Sequence, residues 1–328
     1  MDDPFKLLTN RKSYCSARLS KLKKRMKNIE NINENYSDFC IYVTGSYGRF
    51  EATQYSDLDL FFLNSGKLND RKVSKITKTL IDAEIIKQTR IMNFGEFSND
   101  GQYLEIHHID DMLDALGCPV DDYQNYFTAR MLLLLESYPL HNKDFYDEIL
   151  KKIISAYFRD YHDHDREFKP IFLVNDILRF WKTLCLNYEH KRNRPIDDRN
   201  KKNNTHLKNL KLKFSRMITC FATIIILIKK KQIITQTELL KILHLTPLER
   251  LNKACGNNIK YKQTYNEILK EYAWFLDITG KPQNELIQWI GKRRNRDRAF
   301  ERGRKFGAKV YTLINEISDP TDLRYLII

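Results

Sequence analysis

The sequence lacks the features that would tie it to a membrane or to an oxidising compartment. Its longest apolar run, Met217 to Ile228, is interrupted by Thr219 and Thr223 and stops at Lys229-Lys230-Lys231. A spanning helix needs about twenty predominantly apolar residues, so a buried helix is expected there. The opening residues, Met-Asp-Asp-Pro-Phe-Lys, carry no apolar leader. The six cysteines, at 15, 40, 118, 185, 220 and 255, form no Cys-x-x-Cys pair. Most lie in apolar surroundings, which predicts buried thiols in a reducing cytoplasm. Internal repeats and long low-complexity segments are missing, which excludes a repeat array. The run Tyr161-His162-Asp163-His164-Asp165 has no zinc-ligand spacing and reads as a solvated helix end or loop.

What is present is a long, basic chain. It has 328 residues, 42% of them hydrophobic, enough for two domains. Its 56 Lys and Arg exceed its 42 Asp and Glu, for a net charge of +14. That excess favours polyanionic partners, either nucleic acid or the phosphates of a nucleotide.

One stretch organises the rest. Cys40 to Val43 and Leu58 to Leu63 are short apolar runs that read as buried strands. Asp57 and Asp59 alternate with Leu58 and Leu60, so on a strand the two carboxylates share one face. Side by side they repel unless a cation lies between them, and an oxygen-rich pair suits Mg²⁺. The preceding loop suits a phosphate. Gly45 and Gly48 let the backbone approach a bulky anion, Ser46 offers a hydroxyl and an amide, and Tyr47 to Ala52 can start a helix whose amides attract anions. Arg49 adds a cation.

Gly45-Ser46-Tyr47-Gly48-Arg49 followed by Ser56-Asp57-Leu58-Asp59-Leu60 resembles the signature of the DNA-polymerase-β-like nucleotidyltransferase superfamily. Its form is closest to the bacterial branch with the PII-protein uridylyltransferases. The resemblance implies an α+β fold. A nucleotidyltransferase domain with a small mixed sheet and flanking helices would be followed by an all-helical domain. The polar break at His141 to Lys143 sets the expected division, residues 1–142 and 143–328. The implied reaction transfers an NMP from an NTP, ATP among them, to an acceptor hydroxyl on protein or RNA, with two Mg²⁺ (or Mn²⁺) on Asp57 and Asp59.

The resemblance also calls for a third carboxylate on a neighbouring strand, usually Asp. The alternating run Gln102 to Ile109 contains none before Asp110. Glu105, on the face opposite Leu104 and Ile106, is the expected substitute, and Asp110 the fallback. Without a third acid, the chain would be a weak or inactive relative that binds nucleotides or nucleic acid as a regulator.

Several helices are expected. Leu19, Leu22, Met26 and Ile29 recur at helical spacing within 11–36. Val73, Ile76, Leu80, Ala83 and Ile86 form one face of a helix after the aspartate strand. Tyr126 to Glu136 is an apolar helix carrying Arg130, which either approaches a phosphate or takes a local partner. In the second half, Ile177, Phe180, Trp181, Leu184, Cys185 and Tyr188 make a stripe, with Arg179 and Lys182 on the opposite side as candidate cations for the nucleotide or the acceptor. The resemblance suggests Lys211 and Ser215, one turn apart, as a grip on the triphosphate. Lys292 to Lys305 is the densest basic block, suited to a nucleic-acid backbone or to a solvated helix answered by acids.

Overall fold

A computed structural model describes residues 4–27, 38–66, 73–95, 97, 104–161, 168–193, 198–229 and 233–326. The chain forms two compact units. One comprises Thr9–Arg159 with Gln236–Thr246, the other Met1–Leu8, Asp160–Thr235 and Pro247–Ile328. The division thus falls at 159/160 rather than 142/143, because the helix that follows the break at 141–143 packs back on the sheet.

The first unit is built on a four-stranded mixed sheet. Its strands are β1 (Phe39–Thr44), β2 (Asp59–Asn64), β3 (Ile106–His108) and β4 (Tyr138–His141), in the order β3-β2-β1-β4. β1 pairs antiparallel with β2 and β4, and β2 pairs parallel with β3. All six β1 residues are buried, as expected of a central strand with little alternation. β4 was not anticipated, since Pro139 reads as a break. It lies at the sheet edge, where a missing N–H costs no ladder bond.

The helices of this unit are α1 (Pro4–Arg25, from Thr9 onward), α2 (Gly45–Gly48), α3 (Lys75–Ile91), α4 (Ile109–Asp114), α5 (Val120–Tyr123), α6 (Tyr126–Glu136) and α7 (Lys143–Tyr157). One sheet face packs Ile41, Val43, Leu60 and Phe62 against Leu19 and Leu22 of α1 and Ile81 and Ile85 of α3. The other face carries an aromatic row. Tyr42 stacks on Phe61 at 5.6 Å, Phe61 on His107 at 6.1 Å, and Tyr146 of α7 leans on Tyr42 at 6.2 Å.

Two expectations change here. α1 begins at Pro4 and ends at Arg25, and residues 28–37 lie outside the described ones. The expected apolar face of α3 is the wrong one: Ile76 is 75% and Leu80 51% exposed, while Ile81, Ile85, Gln88 and Thr89 are buried. Two apolar series run along this helix, and the one that reaches the sheet includes polar Gln88, which accepts from Arg25 at 2.9 Å.

The second unit is helical: α8 (Ile171–Arg192), α9 (Arg199–Lys211), a π-helical turn at Leu212–Arg216, and α10 (Met217–Leu227). α11 (Gln236–Leu243) belongs to the first unit. The chain then continues through α12 (Pro247–Cys255), α13 (Ile259–Thr279), α14 (Gln283–Gly291), α15 (Arg293–Ile317) and α16 (Pro320–Leu323). α10 is buried nearly all round, as its composition predicts. Among the described residues no helix is long and apolar enough to cross a membrane, and the six cysteines form no disulfide.

Candidate active site

The β1–β2 register assembles the site. Thr44 pairs with Asp59, so the end of β1, where α2 starts, lies beside the beginning of β2. Gly45 has φ +66°, and a Cβ there would stand 2.6 Å from Asp59 Oδ2. The carboxylate therefore rests against the first residue of α2, and only glycine leaves room for it. Gly48 is as constrained for another reason: its Cβ would fall 1.9 Å from the Glu136 carbonyl oxygen and 3.0 Å from that of Val43. The turn is pressed between β1 and the end of α6. α2 closes with Arg49 N–H donating to Gly45 O and Glu51 N–H to Ser46 O, at 3.0 and 2.8 Å. The first amides of such a turn have no acceptor inside it, and Ser46 beside them is half-buried.

Asp57 lies two residues before Asp59, outside the strand, and is exposed. A Cβ on Gly95 would be 4.0 Å from its Oδ1, which locates that carboxylate beside the loop following α3. Leu58 and Leu60 are both buried, so the alternation that turns Asp57 and Asp59 outward holds even where the strand has not yet begun. Glu105 directly precedes β3 and is exposed. The pairing of Phe62 with Ile106, continued by one residue, puts Glu105 level with Phe61, on the strand that carries Asp59. The fallback, Asp110, is in the first turn of α4, with its N–H donating to Gly66 O at 3.2 Å.

Arg49 differs from its expected role as a phosphate cation. Its guanidinium is buried, bonded to Glu51 at 2.7 Å and to Glu136 at 2.5 Å. Three ionisable groups out of water need one another, because an unpaired buried charge is costly. The trio ties the end of α2 to α6. Arg130 is likewise engaged: it is fully buried and forks onto Asp121 at 2.8 and 2.6 Å while donating to the Tyr157 hydroxyl at 3.0 Å. The sequence carried one hint of Glu136, a lone carboxylate closing an apolar helix, and none of its partner.

His107 lies between Phe61 and Tyr126, meeting the latter edge-on at 6.2 Å. Burial first, then the neighbouring His108, hold its imidazole down to about 4, so near neutrality it is an uncharged ring in the aromatic row.

The expected residues of the helical half lie in the second unit. Arg179 is half-buried, 3.7 Å from Asp176 on its own helix, and Lys182 is exposed. Lys211, at the end of α9, is exposed, whereas Ser215 is buried in the π-turn and donates back to the Lys211 carbonyl at 3.0 Å. Its hydroxyl serves the helix backbone. Residues 162–165 lie outside the described ones.

The Asp59 carboxylate against the Gly45 turn, with Asp57 two residues before it, fits Mg²⁺, which is usually bound by one or two carboxylates and completed by water and substrate phosphates. Among the described residues no three His, Cys, Asp or Glu side chains gather into a metal-binding group. The donor set therefore suits a metal that arrives with phosphate rather than a closed cage.

Residues 19–156 match the family model of the nucleotidyltransferase domain. The match supports membership of this region in the polymerase-β-like superfamily, and with it the observed fold: a nucleotidyltransferase domain on a small mixed sheet, followed by a mostly helical region. A comparison with curated proteins yields no match.

Proposed function

We propose that the Gly45–Asp59 region is the active site of an enzyme that moves an NMP from an NTP to an acceptor hydroxyl. The observation that carries this reading is the placement of Asp59 Oδ2 against the Gly45 turn, which brings a carboxylate and a close-approach glycine backbone together. Ser46 and the amides of the α2 turn, approached closely because positions 45 and 48 are glycine, hold the β and γ phosphates. Asp57 and Asp59 hold Mg²⁺ or Mn²⁺, with Glu105 as third carboxylate; when bound, the metal neutralises charge on the attacking and leaving oxygens. Glu105 draws the proton from the acceptor hydroxyl, whose oxygen bonds to the α-phosphorus as the bond to the pyrophosphate oxygen breaks. The signature's form favours a protein acceptor, as in the uridylyltransferases it resembles, and the basic charge favours RNA.

A second reading has its own observation: Glu105 is exposed and precedes its strand, as in a nucleotide-binding regulator without catalysis. Incubating the chain with each labelled NTP, Mg²⁺ and a cell lysate tests both. Label lost to protease identifies a protein acceptor, and label lost to ribonuclease an RNA. NTP binding without label transfer overturns the enzyme and leaves the regulator.

A further inference from the structure

On the second unit, α8, α9 and α15 enclose a pocket of about 440 Å³, within the range of small-ligand sites. Tyr188 and Arg192 come from α8, Lys202, His206 and Asn209 from α9, and Phe300 from α15. Phe300 meets His206 edge-on at 5.9 Å, so an aromatic wall stands among cations. Burial and then the charges of Arg296 and Lys202 hold the His206 imidazole below its ordinary value, which places both cations close to the pocket.

The acids nearby answer only part of this charge. Glu189 pairs with Arg192 at 3.2 Å and Asp297 with Arg293 at 3.6 Å. Among the described residues, Lys202, Arg294, Arg296 and Arg298 have no carboxylate partner, and Arg304 shares Glu301 with Lys305, which pairs with it at 2.7 Å. Arg296, Phe300 and Arg304 follow at intervals of four, so they share one side of α15. With about 1.5 Å of rise per residue, Arg296 and Arg304 lie roughly 12 Å apart. A free mononucleotide would use the pocket alone. Cations continuing along the helix past Phe300 suit a chain of phosphates, and base stacking on aromatics beside a basic track is how single strands are held without sequence preference.

We propose that this pocket receives one nucleotide of a single-stranded nucleic acid, its base against Phe300 and Tyr188 and the adjoining phosphates on Lys202, Arg296 and Arg304. The proposal is independent of the transfer reaction. The test is fluorescence anisotropy of a fluorescein-labelled 12-nucleotide single-stranded RNA titrated with the full chain, without Mg²⁺ or NTP. The K202Q/R296Q double variant is expected to bind about tenfold more weakly and to lower the salt slope by about 1.4, two phosphate contacts at roughly 0.7 each. Phe300→Leu is expected to weaken binding about fivefold with the slope unchanged. K151Q/K152Q, exposed lysines of α7, is expected to bind as the wild type does. Equal loss in K151Q/K152Q, equal affinity for the duplex of the same sequence, or AMP binding as tightly as the 12-mer would each overturn the proposal. Because the double variant changes exposed or half-exposed side chains, matching thermal melts separate lost binding from lost folding.

Discussion

Arg49, at the end of the Gly45–Gly48 turn, and Arg296, in the first turn of α15, both stand beside a small site bordered by helices. Arg49 is held between Glu51 and Glu136, whereas Arg296 has no carboxylate partner among the described residues. In the first region charge is spent on architecture: the guanidinium fixes α2 against α6 so that Gly45 can meet Asp59 closely. In the second region the helices pack through their apolar sides, and the cations are left to whatever approaches from solvent. A cation next to a phosphate-binding sequence motif is therefore no sign by itself of a phosphate ligand. Its burial and its partners decide.

Variants can break this contrast, and the largest effect is expected at the carboxylates proposed as catalytic. On the proposed function, Asp59→Ala removes a metal ligand worth several kcal/mol of transition-state stabilisation, about a thousandfold or more in rate. Label transfer should vanish while the thermal melt stays near the wild type's. Next comes Arg49→Met, which removes the cation that Glu51 and Glu136 share in the interior. Breaking a buried pair costs about 3–5 kcal/mol, read in urea unfolding, and Glu136→Gln added to it should restore part of the loss. If Arg49→Met left stability unchanged and only raised KM for NTP, Arg49 would be a phosphate ligand after all.

Gly48→Ala is expected to cost about 1–3 kcal/mol, because its Cβ meets backbone that cannot swing away. Gly45→Ala should fold with a smaller penalty, about 1–2 kcal/mol for its left-handed backbone. It should nonetheless lose activity, since the methyl displaces the Asp59 carboxylate. Smaller still is the effect of pH on His107. Its folded value lies below the unfolded one, so the stability it contributes is present above about 6.5 and is lost as pH falls toward about 4. His107→Phe should flatten that part of the stability–pH curve.

Much of the first region could be read locally. The runs around β1 and β2, the Gly-Ser turn and the outward aspartates follow from alternation and from turn chemistry, which act over a few residues. α3 shows where such reading fails. Its helix was legible, but two apolar series run along it, and the sheet chose the one with Ile81, Ile85 and Gln88. β4 was hidden because Pro139 signals a break, and only the position of that strand at the edge makes the proline harmless. The partners of Arg49 and Arg130 were not legible, since Glu136 is 87 residues away in sequence from Arg49 and Asp121 pairs with Arg130 across two helices.

By itself the sequence determined the two central strands, the two glycines and the two aspartates, because each is a short-range demand of backbone conformation and of alternating burial. The tertiary structure alone decided which cations are held by buried acids. Charge is placed by desolvation, and desolvation depends on what packs overhead: Glu136 closes over Arg49 and leaves Gly45 and Asp59 side by side, while nothing in α15's own spacing distinguishes Arg302, paired to Glu271 at 2.6 Å, from Arg296 and Arg304.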